Sequence, residues 1–210
     1  MLEEKFHVKI FHYIDIPIGA GFGASGAGAF STALSLSRAL DLPITYTKIA
    51  QVAHLSEIEC MTGLGDVMAQ SLGGVEIRVR AGAPGFGFVD KIPVDPDIRV
   101  ICASMGTIET KSVLKDPKKR ERINAIGRLL VDDLLRRPSI ETLMKFGRKF
   151  SLDTGLADAD ILRILRDLKN VGIGGFSMVM LGKSVFCFAW KEDALSILET
   201  VSYTHLRAHE

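Results

Sequence analysis

Residues 17–28 read PIGAGFGASGAG, five glycines in twelve positions. An alternating segment, HVKIFHYI at 7–14, precedes them. Small and apolar residues at helical spacing follow from Ser25 to Leu40. That order predicts a strand, a tight turn and a buried helix. Glycine at this density marks backbone that needs positive φ or close approach by another group. At the head of a helix the first N–H groups have no intrahelical partner, and the dipole adds positive potential. Such a junction is a seat for an anion, and the missing Cβ atoms let phosphate oxygens reach several amides at once.

Two familiar phosphate loops fail on spacing. Gly21 and Gly26 have the separation of a Walker A loop, but Ala27 and Gly28 stand where its lysine and hydroxyl residue belong. Gly21, Gly23 and Gly26 satisfy the dinucleotide-binding fingerprint, and Asp41 lies twenty residues past the first glycine. The acid of that fingerprint caps a second parallel strand. Here Asp41 ends the helix and a second helix, TKIAQVAHLSEIE at 47–59, follows with Thr47 as its expected N-cap. A dinucleotide oxidoreductase remains an alternative with its context missing.

A third pattern matches in order. The loop resembles the P-x-x-x-G-L-G-S-S-A phosphate loop of the GHMP kinase superfamily, the small-molecule kinases for galactose, homoserine, mevalonate and relatives. Pro17, Gly21, Phe22, Gly23, Ala24 and Ser25 carry the match, with Ala24 in place of the first serine. The segment AHLSEIECMTGLGDVMAQSLGG at 53–74 resembles the stretch that follows that loop in the superfamily. The resemblance implies a nucleotide seat at Pro17, Gly19, Gly21, Phe22, Gly23, Ala24, Ser25 and Gly26. It implies Mg2+ ligands at Ser25 and Glu57, with Glu59 second, and a catalytic aspartate at Asp66. The two glutamates face different sides of their helix. His54 reads as a helix histidine without a ligand role. ASMGTIETKSVL at 103–114 is similar to the superfamily's strand followed by a Thr-Lys helix start, which adds Thr110 or Lys111 as a substrate or phosphate contact. VGIGGFSMVMLG at 171–182 stands in the place of its third, glycine-rich motif.

These residue types suit phosphoryl transfer from ATP. A hard cation with oxygen ligands offsets the triphosphate charge, and Mg2+ uses one or two protein oxygens beside phosphate oxygens and waters. A carboxylate can orient the acceptor hydroxyl and take its proton. Within the superfamily the wording is most similar to the archaeal branch acting on pantoate, over about residues 8–200. That implies a small-molecule hydroxy acid as acceptor, a step towards coenzyme A, and a homodimer. Homoserine-, mevalonate- or shikimate-type kinases are alternatives, as is a nucleotide-binding fragment without catalysis.

The fold expected is α+β. Strands come in pairs (75–80; 98–104; FSMVML and SVFCFAW joined by a hairpin at Gly182-Lys183) and helices in runs (109–115, 117–136, 139–150, 157–169, and EDALSILETV). The resemblance implies a two-layer α/β sandwich with a left-handed βαβ crossover. Residues 1–90 would be a truncated ATP-binding part, like a ribosomal protein domain. Residues 91–201 would be a ferredoxin-like part. Residues 202–210, SYTHLRAHE, show no pattern continuing the last helix and read as a non-native tail. The expected N-terminal stretch of the superfamily, with its first strands, is not in the sequence.

With 210 residues, 47% hydrophobic and 24% charged, the chain can bury a real core. A net charge of +1 gives no footprint for nucleic acid. The densest basic run, DPKKRER at 116–122, reads as a solvated helix face. Three scattered cysteines form no framework, and no apolar run of about 18 residues spans a bilayer. The expectation is a cytoplasmic protein with no membrane or nucleic-acid partner.

Overall fold

The computed structural model describes residues 6–63, 65–107, 113, 115–172 and 175–207. Helix α1, Ala24–Ala39, follows the glycine loop. Helix α2, Tyr46–Cys60, lies against it. Phe30 of α1 meets Ile49, Ala50 and Ala53 of α2 and Val67 of α3, Asp66–Leu72. The α2 cap is Thr45, not Thr47: its side chain accepts from the Lys48 N–H, so Thr47 falls inside the first turn. Pro43 sets this start by keeping the preceding chain out of the helical region. Because α2 follows α1 directly, with Asp41 in the turn at φ 46°, no parallel strand stands where the dinucleotide fold needs one.

The alternating segment at 7–14 carries no strand ladder, against the expectation. Its apolar residues are largely exposed, Tyr13 to 93%. Alternation gives a segment two faces, but a strand exists only where a neighbour takes its N–H and C=O groups. Its side-chain anchor is His12, whose Nε2 lies 3.1 Å from Thr32 Oγ1 on α1.

Strands β1, Val75–Arg80, and β2, Phe88–Ile92, form an antiparallel hairpin. β2 gave no clear signal in the sequence, because it is short and mostly exposed. Ile77 and Ile92 are covered by Leu134 of α4, Pro117–Arg136, and by neighbours from α5, Ile140–Thr154. The second sheet has the order β3–β5–β4, all antiparallel, with β3 at Ile98–Thr107, β4 at Ser177–Met178 and β5 at Gly182–Trp190. Helix α6, Ala159–Asn170, lays Ile161, Ile164, Leu165 and Leu168 on it, a stripe at three- and four-residue spacing. Paired strands and runs of helices make the fold α+β, as expected.

Two further boundaries differ from the sequence reading. The β4–β5 turn runs through Val179–Leu181, with Leu181 at φ 61°, and Gly182 already opens β5. Helix α7 spans Ala194–Arg207 and so enters the stretch expected to lie beyond it. No glycine or proline interrupts 194–207, and an established helix gains one hydrogen bond per added residue. The helix expected at 109–115, with Thr110 and Lys111, lies outside the described residues apart from Val113 and Lys115. Among the described residues, no helix is long and apolar enough to cross a membrane.

Candidate active site

The glycine loop lies where the two halves of the chain meet. Gly19, Gly21 and Gly23 have φ of 80°, 91° and 71°, the half of conformational space that side chains disfavour. Gly23 is the N-cap of α1, with no side chain capping the helix and no acid in its first turn. The first-turn amides therefore have no side-chain cap and no acid within their own helix. Gln70 of α3 steadies the loop: its Nε2 donates to the Gly23 carbonyl at 2.9 Å. A Cβ at Gly23 would come within 2.8 Å of that nitrogen.

Beside the loop opens a cleft of about 730 Å³. Its lining includes Gly19, Gly21, Phe22, Gly23, Ala24 and Ser25 of the loop, and Gly63, Gly65, Asp66 and Arg78. Arg120 and Asn124 of α4 also line it, together with Met180 and Leu181. Pro17 lies outside this lining. Gly26 is buried behind it, and its missing Cβ leaves room for the Asp66 Cβ, 3.0 Å from where it would stand, and the Glu57 carboxyl carbon, 3.3 Å away.

Helix α2 decides which glutamate turns inward. Its buried residues are Ile49, Ala50, Ala53, His54 and Glu57, one continuous face, whereas Glu59 is exposed. Glu57 is 1% exposed. The Ser25 hydroxyl donates to its Oε1 at 3.1 Å, and its Oε2 has no hydrogen-bond partner among the described residues. Asp66 stands alongside, at the first position of α3. A Cβ at Gly63 would lie 2.6 Å from Glu57 Oε1 and 2.9 Å from Asp66 Oδ2, so that glycine is the gap between the two carboxylates and the cleft.

Burial raises the Glu57 pKa, and the neighbouring Asp66 charge raises it further, against hydrogen bonds from Ser25 and the Val67 N–H. Burial likewise raises the Asp66 pKa, while the Arg78 charge pulls it down. Arg78 comes from β1, and its guanidinium donates to the Gly82 carbonyl at 2.9 Å. Burial lowers the pKa of the buried His54, and the charge of the same arginine lowers it further.

Two carboxylates and a hydroxyl of this kind fit a hard divalent cation. An orphaned, buried carboxylate oxygen is costly unless a cation or donor meets it. The set is all oxygen and leaves most of the coordination shell open, as Mg2+ prefers. Among the described residues no group of three or more His, Cys, Asp or Glu could hold a metal ion by itself, so water and phosphate oxygens would have to complete any shell here.

The structure thus brings Gly19, Gly21, Phe22, Gly23, Ala24, Ser25, Gly26, Glu57 and Asp66 together, although up to forty-seven positions separate them. Sequence reasoning missed Arg78, Gln70 and Arg120. Gln70 had a usable signal, four positions after Asp66 and so on the same face of a short helix. Arg78 sits in VEIRVR, where alternation predicts only that Glu76, Arg78 and Arg80 share a face. The basic run at 116–122 is mostly exposed as expected, but Arg120 reaches the cleft rim.

Known proteins match this arrangement. The family model for the N-terminal domain of GHMP kinases matches residues 1–74. The chain belongs to the GHMP kinase family. Among its curated relatives are the pantoate kinases of Methanocaldococcus jannaschii, 41% identical over 189 residues, and Thermococcus kodakarensis, 37% identical over 199 residues. These alignments cover 88% and 95% of this chain, and 67% and 65% of the relatives. A solved structure described as a phosphotransferase related to the CoA biosynthesis pathway superposes with a TM-score of 0.79 at 36% identity, over 91% of this chain and 62% of that one. A homoserine kinase from Cytophaga hutchinsonii shares the fold, with a TM-score of 0.62 at 16% identity, over 92% of this chain and 64% of that one. The chain spans about two thirds of the length of the curated relatives it matches.

Proposed function

We propose that this chain carries the phosphate seat and catalytic carboxylate of an ATP-dependent kinase that phosphorylates pantoate to 4-phosphopantoate. The observation that carries this reading is that Asp66 and the N-terminal tip of α1 line the same cleft, with the Ser25–Glu57 pair beside Asp66. The names of the relatives supply the acceptor, and the site's chemistry is compatible with it.

In this reading the triphosphate lies against the amides of residues 21–26, and Gly63 keeps the space between it and the carboxylates open. Ser25 and Glu57 would hold Mg2+, which when bound offsets charge on the transferring phosphoryl group. Asp66 orients the acceptor hydroxyl and takes its proton. The acceptor oxygen bonds to the γ-phosphorus as the bond to the β–γ bridging oxygen breaks, leaving ADP. Arg78 has two functions here. Its charge lowers the Asp66 pKa against the burial that raises it, and it offers a guanidinium to the acceptor carboxylate. The apolar side chains Ile18, Ile123, Met180 and Leu181 suit a branched hydroxy acid.

The test is Mg2+-dependent ADP release measured with pantoate, homoserine, mevalonate and shikimate in parallel. The reading expects turnover with pantoate at least about tenfold above the others. Equal or greater turnover with another acceptor overturns the substrate. ATP binding by calorimetry with no product from any acceptor would instead favour a nucleotide-binding portion that needs further chain for transfer.

A further inference from the structure

The glycine loop is held from behind by the second sheet, through a hydroxyl on β5. Ser184 is fully buried, and its Oγ donates to the Ala20 carbonyl at 2.7 Å across 164 positions of sequence. The Ser104 hydroxyl of β3 lies 3.1 Å from it, opposite in the ladder. A hydroxyl has one proton. Ser184 gives it to the carbonyl, the shorter contact, which leaves its oxygen free to accept from Ser104, whose other acceptor is the Gly106 carbonyl at 3.4 Å. Gly182 packs against the same peptide so tightly that a Cβ there would overlap the Ala20 carbonyl oxygen. At Gly21 a Cβ would meet Val179 at 2.8 Å, and at Gly19 it would meet Thr107 at 3.1 Å. Ala20 itself is completely buried.

A trans peptide is planar, so its C=O and the following N–H point in opposite directions. All described peptide bonds are trans. Fixing the Ala20 carbonyl toward β5 therefore aims the Gly21 N–H away from the sheet, and Gly21 lines the cleft. Gly21, at positive φ on one side of this plane, would otherwise let it rotate at small cost.

We propose that Ser184, supported by Ser104, is a positioning residue for nucleotide binding: it locks the Ala20–Gly21 peptide plane so that the loop amides are aimed at the phosphates before ATP arrives. This rests on the reading of the loop as a phosphate seat. Neither serine lines the cleft. The device also makes the second sheet a determinant of ATP affinity, although it contributes none of the carboxylates.

The experiment compares wild type, Ser184→Ala and Ser184→Cys by calorimetry with a non-hydrolysable ATP analogue, and by residue-resolved hydrogen exchange of the free protein. Loss of one buried hydrogen bond should weaken analogue binding about tenfold in Ser184→Ala. Ser184→Cys, a weaker donor of similar size, should fall between. Exchange at Gly21 and Gly23 should accelerate by a similar factor, with α6 amides changed far less. A general loss of stability would instead accelerate all of these together and overturn the proposal. So would wild-type affinity in a folded Ser184→Ala. If wild type itself binds no analogue, the phosphate-seat reading and this proposal both fail. If wild type binds and only the variant comparison is flat, the positioning role alone fails.

Discussion

The Ser25 hydroxyl donates to Glu57 Oε1 at 3.1 Å, joining the first turn of α1 to the buried face of α2. This contact places a carboxylate at the mouth of a helix N-terminus. Unaccompanied, that carboxylate would compete with the incoming phosphate for the same positive potential. The serine hydroxyl and the Val67 N–H hold it back, at the depth where a cation could bridge it to the phosphate.

Replacing Asp66 with asparagine keeps the shape and removes the proton acceptor. Turnover should fall on the order of 10²–10⁴-fold, the range for a lost general base. Affinity for an ATP analogue should stay within about threefold, because the loop amides are untouched. Steady-state kinetics and calorimetry on one preparation decide it. A collapse of nucleotide affinity with turnover per bound ATP preserved contradicts the role.

Arg78 lowers the Asp66 pKa against the burial that raises it. Arg78→Met removes that charge, so Asp66 should lose its proton only at higher pH. The acid limb of kcat/KM should then move upward by roughly one pH unit, the size of an ordinary charge-pair effect. KM for the acceptor should rise as well, while KM for ATP changes little. An unmoved acid limb separates Arg78 from Asp66.

Glu57 and Asp66 have raised pKa values in the folded chain. The contribution of such groups to stability is complete below their unfolded pKa, near 4, and is lost as pH rises through the folded value. In Glu57→Gln the glutamate's share of that loss disappears. Without Mg2+ or nucleotide, the variant should melt higher than wild type at pH 7, by roughly a few degrees, and no higher at pH 4. It should also lose the thermal shift that Mg2+-ATP gives the wild type. Melting curves across pH 4–8 with and without Mg2+-ATP test both parts.

Glu76 offers an independent check on the same principle away from the cleft. Burial pushes its pKa up to about 7, although Lys91 faces it across the β1–β2 ladder. Its share of stability should therefore fade between about pH 4 and pH 7. Glu76→Gln should flatten the pH dependence in that window without changing turnover at pH 7.

Gly182 has no space for any side chain against Ala20. Gly182→Ala should destabilise by about 1–3 kcal/mol or more, the range for overpacking a rigid contact. It should also weaken nucleotide binding, because the loop must move to admit the methyl group. Urea midpoints and analogue titrations measure the two effects separately.

What the sequence could determine by itself was local. The glycine spacing and the apolar period from Ser25 to Leu40 marked a tight turn at the head of a helix, and the resemblance to GHMP kinases picked out the carboxylates at positions 57 and 66. Helical periodicity likewise identified α2, α4, α5 and α6 to within a few residues, because each helix makes its hydrogen bonds within itself. Even Glu57 over Glu59 was half legible, since the helix turn separates them and only packing against α1 picks the inward face.

Tertiary structure alone decided the rest. The 7–14 segment has strand alternation and no ladder, because a strand needs a partner that periodicity does not name. Arg78 enters the site from a hairpin whose second strand was too short and exposed to leave a pattern. Ser184 and Gly182 meet Ala20 from more than 160 positions away. Contacts between distant segments carry no repeat that local spacing can register. They exist only once packing has brought the peptide planes together.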